Sequence, residues 1–139
     1  MQRLPHHYTV SATGQPDGDV SLSAADLETI PSAAPREFGG PGNRWSPESL
    51  LVAAVADCFI ISFRAVASAS KLSWASLECE VEGTLDRSER TTKFTEFQVT
   101  AKLTILKETL EEKAHRALEK AEEICLVTNS LSAETHLNA

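Results

Sequence analysis

Positive charge is scarce in this sequence. Its 139 residues carry 13 Lys and Arg against 20 Asp and Glu, a formal net charge of −7. Nucleic acid and anionic membrane surfaces are bound through clustered positive charge, so neither is an expected partner. Long apolar runs are also missing. The longest, Leu50 to Ile61, already contains Asp57 and falls short of the roughly 18 apolar residues of a membrane span. Met1-Gln2-Arg3-Leu4-Pro5-His6-His7 has no apolar signal core behind its basic residue, so the expected location is cytoplasmic. There are only three cysteines, Cys58, Cys79 and Cys125. They are too few, and odd in number, for a secreted disulfide framework. In a reducing compartment a cysteine is a core hydrophobe, a ligand or a reactive thiol.

What is present is ordinary globular composition, with 42% apolar and 24% charged residues. That suits a single domain over residues 1–139. Residues 6–12 and 19–23 read as short strands joined by the turn Thr13-Gly14-Gln15-Pro16-Asp17-Gly18. Residues 31–45 hold three prolines and three glycines and read as a long irregular loop. Ser46-Pro47-Glu48 then has the N-cap, first-turn proline and acidic residue of a helix start, and the helix is expected to run to about Ser70. Its apolar residues cover every face, which marks a buried helix.

Residues 76–85 and 95–106 alternate apolar and polar residues. Leu77, Cys79, Val81 and Leu85 share one face of the first; Phe97, Val99, Ala101, Leu103 and Ile105 share one face of the second. The polar stretch between them makes a hairpin. Thr109-Leu110-Glu111-Glu112 reads as a capping box opening an amphipathic helix. Its stripe is Ala114, Ala117, Leu118, Ala121, Ile124 and Cys125. Residues 131–138 give a final edge strand. Grouped strands imply an α+β fold with antiparallel sheets around a buried central helix. One sheet and one amphipathic helix cannot cover that central helix on all sides. A second copy of the chain would, so a homodimer is expected.

The cysteines carry the chemical signal. Cys79 points inward on an alternating strand and reads as a packed core thiol. Cys58 on the buried helix and Cys125 on the apolar stripe face the same interior. They are either two small hydrophobes or a reactive pair. A thiol buried in apolar surroundings is inert, so reactivity needs a nearby cation. Arg36, Arg44 and Arg64 are the candidates, and Glu48 is a carboxylate able to hold such an arginine in place. Glu48 and Cys58 are separated by about 15 Å of helix rise and cannot touch within one subunit. Across a two-fold axis with antiparallel helices, Glu48 of one chain can lie beside Cys58 of the other. His6, His7, His115 and His136 form no chelating pattern, so no metal is expected. Trp45 reads as a packing anchor or as part of an apolar pocket wall.

Four segments together resemble a known family. Phe38-Gly39-Gly40-Pro41-Gly42, Ser46-Pro47-Glu48-Ser49-Leu50-Leu51, Ala56-Asp57-Cys58-Phe59 and Cys125-Leu126-Val127-Thr128-Asn129-Ser130-Leu131 are similar to the OsmC/Ohr family. That family comprises osmotically inducible protein C and the organic hydroperoxide resistance proteins. The resemblance implies an intertwined homodimer with its active sites at the interface. It also implies a thiol-dependent peroxidase acting on organic hydroperoxides in oxidative stress defence. Cys58 would be the peroxidatic cysteine and Cys125 the resolving one, regenerated by a dithiol reductant such as a lipoylated protein, with no cofactor. The sequence departs from the family at two places. Pro16 stands where the hydroperoxide-resistance branch has its hairpin arginine, and Leu126 replaces the proline that usually follows the second cysteine. This places the chain in a divergent branch; the resemblance implies a cation from the loop before the helix, Arg36 or Arg44, with Arg44 preferred because it lies four residues from Glu48. The reading from a different class is a non-catalytic protein of the same fold that binds a small apolar ligand or senses oxidation.

Overall fold

The computed structural model describes residues 2–139. The chain divides into two units, Met1–Leu50 and Leu51–Ala139. The first is built on an antiparallel sheet of three short strands: β1 (Ser11–Thr13), β2 (Val20–Ser23) and β3 (Ile30–Ser32). The β1–β2 hairpin matches the sequence expectation, although β1 starts later than residue 6. β3 lies partly inside the stretch expected to be loop. It is an edge strand, where Pro31 withholds no ladder bond that the sheet requires. Among the described residues of this unit only Ser32 and Ser46 are buried. Such a sheet has no apolar core of its own and is not self-sufficient in water.

The long helix α1 (Pro47–Ala69) starts where expected. Ser46 Oγ accepts the Ser49 N–H at 3.0 Å, and Ser49 Oγ accepts the Ser46 N–H at 2.8 Å. Two orphan donors are thus satisfied reciprocally, a capping box with serine in the place of the usual Glu. The helix ends at Ala69, and Lys71 turns the chain with a φ of 56°.

The second unit holds the core. Val55, Phe59, Phe63 and Ala67 recur every fourth residue on α1 and form its buried stripe. They pack on the hairpin of β4 (Trp74–Ser88) and β5 (Thr91–Ile105), where Phe97, Val99 and Ala101 are buried. Phe63 meets Trp74 edge-to-face with centroids 5.1 Å apart. Gly83 lets the helix approach: a Cβ there would lie 2.9 Å from Val52 Cγ2 and 3.0 Å from Phe94 and Phe97 ring atoms. The hairpin turns through Glu89 and Arg90, both at positive φ, a two-residue turn suited to the strand twist.

Helix α2 (Glu111–Ile124) lays Ala114, Ala117, Leu118 and Ala121 into this core, as its stripe predicts. A short helix α3 (Leu126–Asn129) and a last strand β6 (Glu134–Asn138) follow.

The fold is α+β, with differences in detail. β6 runs parallel to β5, so the second sheet, ordered β4-β5-β6, is mixed instead of antiparallel. The chain returns through α2 and α3, and a helical crossover brings a strand back in the same direction. Thr109 does not cap α2. A 3-10 turn occupies Glu108–Leu110, its Leu110 N–H bonded to Lys107 O, and the helix starts after it without a side-chain cap. Leu85 is exposed because a register shift at Thr84/Leu85 breaks the alternation. α1 is not covered on every side within one chain: Asp57, Ile61 and Arg64 are exposed, Ile61 at 55%. By length and composition α1 could cross a membrane. Its buried stripe and aromatic contacts are those of a core helix.

Candidate active site

Two of the sequence-predicted residues meet. Cys58, midway along α1, and Cys125, at the end of α2, face each other closely enough for Cys58 to act on Cys125 through hydrogen bonding and charge. Their surroundings differ. Cys58 is half-buried, with Ser62 Oγ at 3.9 Å one turn further on. Cys125 is 2% exposed.

Burial pushes the Cys125 thiol above its ordinary pKa, and proximity to Cys58 pushes in the same direction. The backbone N–H and hydroxyl of Thr128 oppose this by favouring the thiolate. The third cysteine belongs to the same neighbourhood. Cys79 on β4 is raised to about 11, first by burial and then by charge on Cys125. Glu122, one turn before Cys125, is raised by burial; His136 opposes that rise and Glu119 adds to it. The proton therefore stays on Cys125 and Cys79 at neutral pH, and Cys58 is the reachable member of the cluster.

Cys125 occupies a special backbone position. It leaves the α2 helix with φ −61° and ψ 106° and stands as the N-cap of α3. Its carbonyl accepts the Asn129 N–H at 3.0 Å and the Thr128 hydroxyl at 3.1 Å. Thr128 was not singled out from the sequence. The signal for it was there: a hydroxyl three residues after a residue that ends one helix and starts the next. Ser62 was likewise missed; it lies at the i+4 spacing from Cys58 that puts two side chains on one helix face.

The other predicted residues lie elsewhere. Glu48 is on the first turn of α1, ten residues before Cys58, and one chain does not bring the two together. Its Oε1 is buried without a hydrogen-bond partner among the described residues. Arg44 is held by Asp19, with Nε at 3.0 Å from Oδ2. Arg36 makes no ion pair among the described residues. Its guanidinium lies over Gly42, where φ is 81° and a Cβ would fall 2.6 Å from Nη2. Arg64 is exposed on α1. Trp45, Arg44, Asn43, Gly42, Ile30 and Ser49 line an open groove of about 480 Å³ in the first unit. Among the described residues no three His, Cys, Asp or Glu side chains are grouped to hold a metal ion.

A buried thiol beside a reachable one can form and break a disulfide. Comparison with known proteins agrees in class. The family model described as OsmC-like protein matches residues 40–139. The chain belongs to the OsmC-like protein family. A Bacillus subtilis (strain 168) relative, the uncharacterized protein YmaD, is 24% identical over 137 residues, covering 95% of this chain and 91% of its own. An OsmC-like protein of unknown function from Vibrio cholerae shares the fold with a TM-score of 0.86 at 17% identity, over 96% of this chain and 99% of that one. An organic hydroperoxide resistance protein OsmC from Legionella pneumophila is 27% identical with a TM-score of 0.77, over 98% of this chain and 96% of that one.

Proposed function

We propose that this protein is a thiol-dependent peroxidase that reduces organic hydroperoxides with Cys58 and Cys125. The Cys58 thiolate attacks the O–O bond of the hydroperoxide. That bond breaks, the alcohol leaves with a proton, and Cys58 becomes a sulfenic acid. Cys125 then attacks the Cys58 sulfur, water leaves, and a disulfide forms. A dithiol reductant, of the kind a lipoylated protein carries, takes up the oxidation and restores both thiols.

The observation that carries this reading is the pairing of a reachable Cys58 with a buried Cys125 in a fold shared with proteins called organic hydroperoxide resistance proteins. A homodimer belongs to the same proposal. The exposed outer face of α1 and the first unit without buried apolar side chains both favour a covering second copy. In that dimer the partner's Glu48 lies beside Cys58, and its unpartnered Oε1 receives a guanidinium from the loop. Arg44 is engaged by Asp19, which favours Arg36 as that cation. The compartment proposed is the reducing cytoplasm.

The test is turnover of cumene hydroperoxide with dithiothreitol as reductant. Consumption that depends on enzyme and is lost in Cys58→Ser supports the proposal; equal rates with and without Cys58 overturn it. The engagement of Arg44 by Asp19 favours a second reading, a redox-sensing or ligand-binding protein without turnover. There Cys58 would oxidise once and the dithiol would not restart it.

A further inference from the structure

We infer that Ser62 is a positioning residue for Cys58: its hydroxyl donates to the Cys58 sulfur when that sulfur is charged, and so holds the thiolate for attack. The inference rests on the proposed peroxidase reading for the reaction it serves, and adds a residue that the reading does not use. The two side chains are in contact, Cys58 Sγ to Ser62 Oγ at 3.9 Å. Both lie on α1 and both are half-buried. Side chains on a helix lean toward its N-terminus, so a residue reaches back over the one four positions earlier. The helix itself therefore sets Ser62 over Cys58.

The direction of the hydroxyl is the informative point. A helical serine has a ready acceptor in the carbonyl four residues back. Ser70 uses it, donating to Val66 O at 2.9 Å, and Ser130 donates to Leu126 O at 2.7 Å. Ser62 does not. Among the described residues, the hydrogen-bond partner of its side chain is Cys58 Sγ. Its setting points the same way. Between Leu50 and Ala67 the charged side chains of α1, Asp57 and Arg64, are exposed, whereas Ser62 is not. A half-buried hydroxyl on a largely apolar helix has lost part of its water and gains from a charged acceptor.

In the neutral pair either atom can donate, and 3.9 Å is a long bond. Loss of the Cys58 proton removes the ambiguity. A thiolate only accepts, so Ser62 must donate, and a bond to a charged acceptor is shorter and about twice as strong. Cys125 is 2% exposed and keeps its proton, so the charge of the pair falls on the sulfur that Ser62 faces. Ser62 holds its own proton throughout the reaction. The Cys58 electron pair goes to the terminal peroxide oxygen, the O–O bond breaks, and the departing alkoxide takes a proton from water.

The experiment uses the reduced full chain, unaltered and as Ser62→Ala and Ser62→Thr. Alanine removes the hydroxyl and is the best helix former, so α1 is kept; threonine keeps the hydroxyl. Each protein is alkylated with iodoacetamide across a range of pH, and the rate at Cys58 is followed by peptide mapping. In Ser62→Ala the midpoint of the Cys58 profile should move up by about one pH unit. That is about a tenfold loss of rate below the midpoint, the scale of one hydrogen bond to a charged group. Ser62→Thr should restore the profile. A change of packing alone would alter the rate without moving the midpoint. An unmoved midpoint in Ser62→Ala, or a shift that Ser62→Thr does not restore, overturns the inference. The second arm is single-turnover oxidation of Cys58 by cumene hydroperoxide below the midpoint. It should slow about tenfold in Ser62→Ala and recover in Ser62→Thr; an unchanged rate overturns the inference as well. If the unaltered chain does not react with the hydroperoxide at all, the peroxidase reading falls, and the alkylation profile alone decides whether Ser62 holds the thiolate.

Discussion

Arg44 donates through Nε to Asp19 Oδ2 at 3.0 Å, so this arginine already has a carboxylate partner of its own. Arg36, seated over Gly42, carries no such carboxylate. Arg36→Gln should therefore slow oxidation of Cys58 by cumene hydroperoxide by at least about tenfold, the scale on which one charge-assisted hydrogen bond acts. Arg44→Gln should change that rate little. It should also cost under about 1 kcal/mol of stability, because the Asp19 pair is solvent-exposed. Stopped-flow oxidation of both variants decides between the two arginines. A large effect confined to Arg44→Gln would return the role to Arg44.

Gly83 is where the core is tightest. Gly83→Ala sets a methyl against Val52, Phe94 and Phe97 at 2.9–3.0 Å, contacts that must open by helix or ring displacement. The expected destabilisation is about 1–3 kcal/mol. Urea unfolding should show a lower midpoint with an unchanged m-value. An unaltered midpoint would mean α1 does not approach the sheet this closely.

Cys79 gives a pH signature. Its pKa rises from 9.0 to about 11 in the folded chain through burial and the nearby Cys125. A group raised on folding binds more protons in the native state. Its contribution is whole below pH 9 and is lost as pH climbs through about 11. Under reducing conditions the denaturation midpoint should fall across that window, and less steeply in Cys79→Ala. Maleimide labelling at neutral pH should proceed in the order Cys58 first, with Cys79 and Cys125 far slower.

Much of this was legible in the sequence, for identifiable reasons. The start of α1 was marked by Ser46 and Pro47, and its end fell within a residue of the expected one. The inward faces of β5 and α2 followed from their alternation and stripe, because burial selects by period. The meeting of Cys58 with Cys125 followed from both facing the core. Other features were settled by non-local geometry. The β5 register shift that exposes Leu85 is invisible in the alternation itself. The Thr109 capping pattern lost to a 3-10 turn, which satisfies the chain by backbone bonds. Asp19 and Arg44 are 25 residues apart, and their pairing is set by tertiary structure. Ile124 continues the apolar stripe of α2 but stays exposed, because the chain leaves the helix at Cys125.

The open face of α1 sets an expectation for assembly. Ile61 is the large apolar residue exposed on it. Sedimentation equilibrium should give a dimer for the full chain. Ile61→Glu should weaken it by placing a charge in the proposed apolar contact. A monomer at micromolar concentration in the unaltered protein would remove the dimer and the cross-subunit role of Glu48 together.

The central claim is that Cys58 and Cys125 form one redox pair, and a single-turnover reaction tests it most directly. Reduced protein is mixed with one equivalent of cumene hydroperoxide, digested without reduction and mapped by mass spectrometry. The account predicts rapid formation of one Cys58–Cys125 disulfide, with Cys79 left as a thiol. Free Cys58 and Cys125 persisting for minutes, or a disulfide that draws in Cys79 in preference to Cys58, would contradict it.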